Sequence, residues 1–279
     1  MTSSLCHCAT PAGASEVLRP LFRLAPGFEL LLASGSPRRR QFLNEWGLPF
    51  RLALPDAEEP RPLHGESPEA YTRRAATAKA LAVGQTLRWQ ATHKAADGAP
   101  SASPQPVILA ADTVVAIGGD ILGKPDNPAH ALSMLARLNG ASHEVISAVC
   151  LLLPAQPAFT PAAEALADVP ATISPNTVAS ASNNSNTAFN LQESLVDSFC
   201  MLTFSDVSRV FFHHWPMQVL QAYVDTGEPN DKAGAYAIQG QGAVLVERIE
   251  GSWSTVVGLP VTALAQVMMD RGLMLSCRG

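Results

Sequence analysis

At 279 residues, with 47% hydrophobic and 15% charged side chains, the chain has the composition of an ordinary globular protein able to bury a sizeable core. A formal charge of −5 leaves no global basic field, so bulk charge recruits no nucleic acid and any polyanion must be met by a local cluster. Five scattered cysteines (Cys6, Cys8, Cys150, Cys200, Cys277) read as reduced thiols, and no apolar run has membrane-spanning length; with no secretory pattern at the start, the expected compartment is the cytoplasm.

Residues 1–28 read as an N-terminal extension, in which the "CHC" of 6–8 lacks a second Cys/His pair to complete a metal site. The rest, 29–279, reads as one catalytic-sized domain. "FELLLAS" is a short apolar strand, and Pro37 to Trp46 a helix closed by Gly47. "SPEAYTRRAATAKALAVGQTL" opens a helix with Ser67 as cap and Pro68 in its first turn. A loop follows over 92–106. "PVILAADTVVAI" is a strand that turns at Gly118-Gly119 into a return strand, "ILGKP". "NPAHALSMLARLNG" is a capped helix and "HEVISAVCLLL" a strand. The stretch from about 154 to 197, rich in Pro, Ala, Ser, Asn and Thr, reads as a low-complexity surface insertion. "SRVFF" is a strand, "PMQVLQAYVDTG" a helix, "GAVLVERIEG" and "WSTVVG" a hairpin, and "LPVTALAQVMMDRG" the closing helix. This order predicts an α/β fold with a mixed, twisted sheet flanked by helices.

Three stretches carry the chemistry. In "ASGSPRRR" the pair Ser36-Pro37 starts a helix whose free N–H groups and dipole favour an anion. Arg38 and Arg39 in that first turn are unfavourable unless an anionic ligand answers them, and guanidinium groups grip phosphate bidentately. The alternative is a basic surface turn over Phe42, Leu43 and Trp46. In "AADTVVAIGGDILGKP" a carboxylate, Asp112, interrupts an apolar strand, which costs free energy unless it is paired. A two-residue turn sets Thr113 opposite Lys124, and strict alternation sends Asp112 to the other face unless a strand end or bulge re-aims it. A salt-bridged strand edge stands beside a catalytic acid as a reading of these residues. In "EPNDKAGAYAIQGQG" a glycine-rich polar loop offers Lys232 to phosphate and Gln239, whose amide both donates and accepts, to a base edge; a plain connector is the alternative. Lys79 in an apolar helix turn and the acidic pair Glu58-Glu59 are weaker candidates. His143, His213 and His214 show no metal-ligand spacing, and Ser34 and Ser36 lack His–Asp partners for a serine hydrolase.

Taken in order, "LASGSPRR", "ADTVV", "GKP", "LNGASHEV", "DKAGAYAIQG" and "VVGLP" resemble the Maf family of nucleoside triphosphate pyrophosphatases, over about Leu31 to Leu275. The resemblance implies a homodimeric α/β enzyme of two lobes with a central cleft, similar to inosine triphosphatases, that cleaves nucleoside 5′-triphosphates to monophosphate and pyrophosphate with a divalent metal, Mg²⁺. It implies Asp112 as general base; Ser34, Ser36, Arg39, Lys79, Lys124 and Lys232 as phosphate-handling groups; and Glu59 as a metal-linked carboxylate. Arg38, Thr113 and Gln239 resemble the specificity set of the branch acting on dTTP and UTP. Ala237 stands where the family usually has glycine, and Trp253 where tyrosine is common. The rival expectations are a 7-methyl-GTP or other purine triphosphate pyrophosphatase, a nucleotide-binding regulator of cell division without turnover, and a nucleic-acid-binding module, against which the acidic balance argues.

Overall fold

The computed structural model describes residues 19–56, 58–95, 104–154, 189–196 and 199–277. The "CHC" of 6–8, and most of the 92–106 loop and the 154–197 insertion, lie outside the described residues. Ten strands and six α-helices are assigned among those described. In chain order they are β1 (Phe22–Leu24), β2 (Phe28–Leu32), α1 (Pro37–Trp46), β3 (Phe50–Leu52), α2 (Pro68–Ala95), β4 (Gln105–Ile117), β5 (Asp120–Leu122), α3 (Pro128–Leu138) and β6 (Ser142–Pro154), followed by β7 (Gln192–Val196), β8 (Phe199–Phe212), α4 (Met217–Asp225), β9 (Val246–Glu250), α5 (Trp253–Val257), α6 (Val261–Asp270) and β10 (Met274–Ser276). One sheet has the order β3-β2-β4-β6-β8-β7, with β5 on β4 and β9 on β8. β2 runs parallel to β3 and β4, and the other pairings are antiparallel. The sheet is mixed and helix-flanked, as the element order predicts.

Helix starts follow the sequence. Asn127 accepts from the His130 N–H at 2.9 Å to cap α3, and Ser67 accepts from the Ala70 N–H at 3.2 Å at the head of α2. Gly118 and Gly119 both take positive φ (60° and 88°), which the tight turn between β4 and β5 needs and other residues resist.

The period-two pattern of the strands divides the core. Leu30, Leu32, Leu109, Leu151 and Phe204 face Phe42 and Leu43 of α1 and Leu264 and Met268 of α6. Leu31, Ile108, Ala110, Ala148, Cys150 and Leu152 face Ala76, Ala80 and Val83 of α2. Further along the same strands, Val115, Val145, Val210 and Phe212 join Met134 and Leu135 of α3, Leu220 and Val224 of α4, and Tyr236 in a separate core. β4, β6 and β8 therefore contribute side chains to this core as well as to the first.

Several elements differ from expectation. "WSTVV" is not the second arm of a hairpin but helix α5. Its β-branched run is tied sideways to the sheet, with Ser147 donating to the Thr255 carbonyl at 2.8 Å and Thr255 donating to Asp206. β8 begins nine residues before "SRVFF". Residues 192–196, within the proposed insertion, form edge strand β7 on β8. Residues 22–24, within the proposed extension, pair with β10. The return strand β5 ends at Leu122, leaving Gly123–Pro125 as loop.

Candidate active site

β2 pairs with β4 only as far as Leu32 opposite Leu109, and β5 takes up the same edge of β4 only from Val115. Between them, residues 110–114 of β4 have no strand neighbour on that side among the described residues. A cavity of about 380 Å³ opens there. The gap answers the alternation problem: Asp112 and Thr113 project to opposite faces of β4, yet both line the cavity because the sheet is interrupted beside them. The cavity lies at the carboxyl end of β2, and ligand sites at the carboxyl ends of parallel strands are a general feature of open α/β sheets.

The first turn of α1 forms one wall. Ser36 occupies the cap position with Pro37 behind it, but its hydroxyl makes no capping bond. The Ser36 N–H donates instead to Ser34 Oγ at 3.3 Å. Arg39 is buried, and its guanidinium joins three segments: Nε donates to the Gly258 carbonyl at 2.8 Å, Nη1 to Ser34 Oγ at 2.9 Å and Nη2 to Thr113 Oγ1 at 3.0 Å. Burial lowers its pKa, against the opposing pull of Asp112. Arg38 is half-buried and also lowered by burial, with Asp231, Tyr223 and Glu228 opposing the fall.

Opposite stands a chain of charges. Lys79 of α2 donates to Asp112 Oδ1 at 2.5 Å and to Glu59 Oε1 at 3.2 Å. Asp112 is 5% exposed, and its Oδ2 is buried without a hydrogen-bond partner among the described residues. Burial raises the Asp112 pKa above the ordinary carboxylate value even though Lys79 and Arg39 pull it down. Burial acts the same way on Glu59, but there Lys79 outweighs it and the net shift is downward. One lysine thus holds two carboxyl groups of different acidity side by side. Lys124 and Lys232 line the remaining wall, with Lys232 paired to Asp231. In all, the cavity draws on five cationic side chains (Arg38, Arg39, Lys79, Lys124, Lys232) and three acidic ones (Glu59, Asp112, Asp231).

Of the residues singled out in the sequence, Ser34, Ser36, Arg38, Arg39, Glu59, Lys79, Asp112, Thr113, Lys124 and Lys232 meet in this one cavity. Gln239 is half-buried and does not line it among the described residues; its neighbours Ala237 and Ile238 do. Sequence reasoning missed Asp231, Tyr236 and Gly258, although each lies inside a motif that was noticed. The apolar end is formed by Val115, Val145, Tyr236 and Val256.

A family model described as Maf-like protein matches residues 29–178 and 176–271, two segments that meet inside the 154–197 stretch. The dTTP/UTP pyrophosphatase of Oleidesulfovibrio alaskensis is 43% identical over 244 residues, spanning 88% of this chain and 85% of its own. That of Nitratidesulfovibrio vulgaris is 42% identical over 243 residues, spanning 87% and 88%. That of Methylococcus capsulatus is 36% identical over 249 residues, spanning 89% and 94%. The motifs around the cavity, the mixed sheet that presents them and these matches along most of the sequence agree: the chain belongs to the Maf family.

Proposed function

We propose that this protein hydrolyses dTTP and UTP to the monophosphate and pyrophosphate, in the cytoplasm and as a homodimer. The observation that carries the reading is Asp112: a buried carboxylate with one oxygen unpartnered among the described residues, set in a cavity where cationic side chains outnumber acidic ones. Among the described residues no helix is long and apolar enough to cross a membrane.

The charge balance suits a triphosphate. The side chains named above leave the cavity with a modest positive excess, and a triphosphate of about four negative charges is reduced to about two by one divalent cation. Mg²⁺ fits the donor set. It characteristically takes one or two carboxylates and completes its shell with substrate phosphates and water. Glu59 shares Lys79 with Asp112 and offers its carboxylate to the cation, while Asp112 Oδ2, without a protein partner among the described residues, is left for the water. Among the described residues no group of three or more His, Cys, Asp or Glu could cage a metal without substrate. When bound, the cation would neutralise charge on the phosphates and acidify water.

The chain's own groups supply the rest. Arg38, the first-turn N–H groups of α1, the remaining N–H donors of Arg39, and Lys79, Lys124 and Lys232 hold the triphosphate with its α-phosphorus towards Asp112. Asp112 takes a proton from the attacking water as the water oxygen bonds to the α-phosphorus. The bond to the bridging oxygen breaks, and pyrophosphate leaves with its charge answered by the lysines. The raised Asp112 pKa makes it a stronger base than an exposed aspartate, and Lys79 keeps it in place. Thr113, Arg38 and Gln239 are the base-reading set.

The test is pyrophosphate release from dTTP, UTP, dCTP, dGTP and 7-methyl-GTP, with Mg²⁺ and after chelation. Release from dTTP and UTP that stops on chelation and returns with Mg²⁺ is expected. A preference for the methylated purine, or nucleotide binding without release, would sink the reading. Sedimentation of the purified chain tests the dimer.

A further inference from the structure

The loop that carries Gln239 is held from outside the cavity by Tyr223 of α4 and by Glu228, three residues past the end of that helix. Tyr223 Oη accepts the Ala237 N–H at 3.1 Å and donates to Glu228 Oε1 at 3.0 Å. Glu228 Oε1 also accepts the Gly242 N–H at 3.0 Å, and Oε2 accepts the Gln241 N–H at 3.0 Å. Backbone groups two residues before Gln239, and two and three after it, are thus fixed to one hydroxyl–carboxylate pair. The approach is too close for side chains. A Cβ on Gly240 would lie 2.8 Å from Glu228 Oε2, and one on Gly242 would lie 2.5 Å from Tyr223 Oη and 2.4 Å from the Ala237 carbonyl. Glu228, after Asp231, also opposes the lowering of the Arg38 pKa by burial.

We propose that Glu228, together with Tyr223, is the positioning element for base selection: it fixes the turn bearing Gln239 relative to Arg38 while touching no part of the substrate. The proposal rests on the reading of Arg38 and Gln239 as base-reading groups. Its physical content is that Gln239 caps a short 3₁₀ helix (Gly240–Leu245) whose first-turn N–H groups have no partner within the helix, so the turn keeps one shape only while an outside acceptor satisfies them. A carboxylate accepting three hydrogen bonds makes each of them charge-assisted, about twice as strong as a neutral one. The glycines at 240 and 242 are then required by the clamp, as the sites where it meets the chain. Ala237, where the family usually has glycine, keeps the clamp: its N–H is the one Tyr223 accepts.

Glu228→Gln preserves the side-chain size but removes the charge and one acceptor. Tyr223→Phe removes the hydroxyl and leaves the ring packed in its core, and serves if the first variant folds poorly. Binding of the non-hydrolysable α,β-imido analogues of dUTP and dGTP is measured by calorimetry, beside inorganic pyrophosphate as a probe of the phosphate end alone. The expected result is that the dUTP-to-dGTP affinity ratio falls about tenfold in Glu228→Gln, the worth of one hydrogen bond to a charged acceptor, and that pyrophosphate affinity moves less than about twofold. Amide exchange at Gln241 and Gly242 should quicken. An unchanged ratio in both variants, a wild-type ratio near one, or an equal loss for both nucleotides and pyrophosphate would overturn the proposal. A wild-type protein that discriminates between bases but releases no pyrophosphate from dTTP would sink the hydrolase reading and leave the clamp standing.

Discussion

Replacing Arg39 with lysine separates a charge from a strut. Arginine spreads three hydrogen bonds of 2.8, 2.9 and 3.0 Å over the Gly258 carbonyl, Ser34 Oγ and Thr113 Oγ1, which belong to three separate segments. Lysine keeps the charge but puts every donor on one nitrogen, so it reaches one of those places. A hydrogen bond from a charged donor contributes about 1.5–3 kcal/mol, so two lost bonds imply about 3–6 kcal/mol. Thr113 keeps Ser147 Oγ at 2.8 Å and Ser34 keeps the Ser36 N–H at 3.3 Å, which favours the lower end, about 3 kcal/mol. At roughly 2–4 °C per kcal/mol for a chain of this size, the melting temperature should fall by about 6–12 °C. Circular-dichroism melts at neutral pH read the stability, and pyrophosphate release reads the dTTP KM, which should rise as Thr113 and the α1 turn lose their common tie. A variant that melts within about 2 °C of the parent would refute the strut and leave Arg39 as a ligand only.

Asp112→Asn should lower pyrophosphate release from dTTP by about 10²–10⁴-fold with nucleotide binding retained, as for removal of a general base; near-normal turnover removes Asp112 from the chemistry. Lys79→Met takes away the cation shared by Asp112 and Glu59, so a carboxyl there should ionise later, and the acid limb of the kcat/KM profile should move to higher pH. A limb that stays in place means that neither acid controls it. His143 is 2% exposed, donates or accepts at Tyr236 Oη through Nε2 at 2.8 Å, and is pushed by burial from 6.5 down to about 4. Between those values the unfolded chain binds a proton that the folded one refuses. Stability from this group is therefore complete above pH 6.5 and lost as the pH falls towards 4. His143→Gln should flatten that part of the melting-temperature curve, and parallel curves would assign the acid sensitivity elsewhere.

Much of this fold is legible because the long elements carry their signals redundantly. Asn127, Pro128 and Gly140 mark α3, and two consecutive glycines mark the β4–β5 turn. The three-residue strands β1, β3 and β10 carry no usable period, so only tertiary pairing defines them. α5 is the reverse case. Its β-branched residues favour a strand, but Thr255 is tied to β6 and β8 through its carbonyl and hydroxyl, and that tertiary demand overrides propensity. The first half of β8 escaped notice because Cys200, Thr203, Ser205 and Asp206 break its apolar run. At the site, the sequence pattern brings ten side chains into the cavity but leaves the face of Asp112 ambiguous. Only the broken pairing on the edge of β4 resolves it, and pairing registers are a property of the sheet. Gln239 shows a further limit: a motif names the residue but not how far it stands from the cavity.

β6 ends at Pro154, which pairs with Phe199 at the start of β8. The cavity meets β6 at Val145, nine residues back along a strand rising about 3.3 Å per residue, or roughly 30 Å away. Chain can therefore be added or removed after Pro154 with no change in the register that sets Asp112 and Thr113. Two independent design problems are solved on one pair of strands, and homologues are free to differ in length at one end of the molecule as long as they agree at the other.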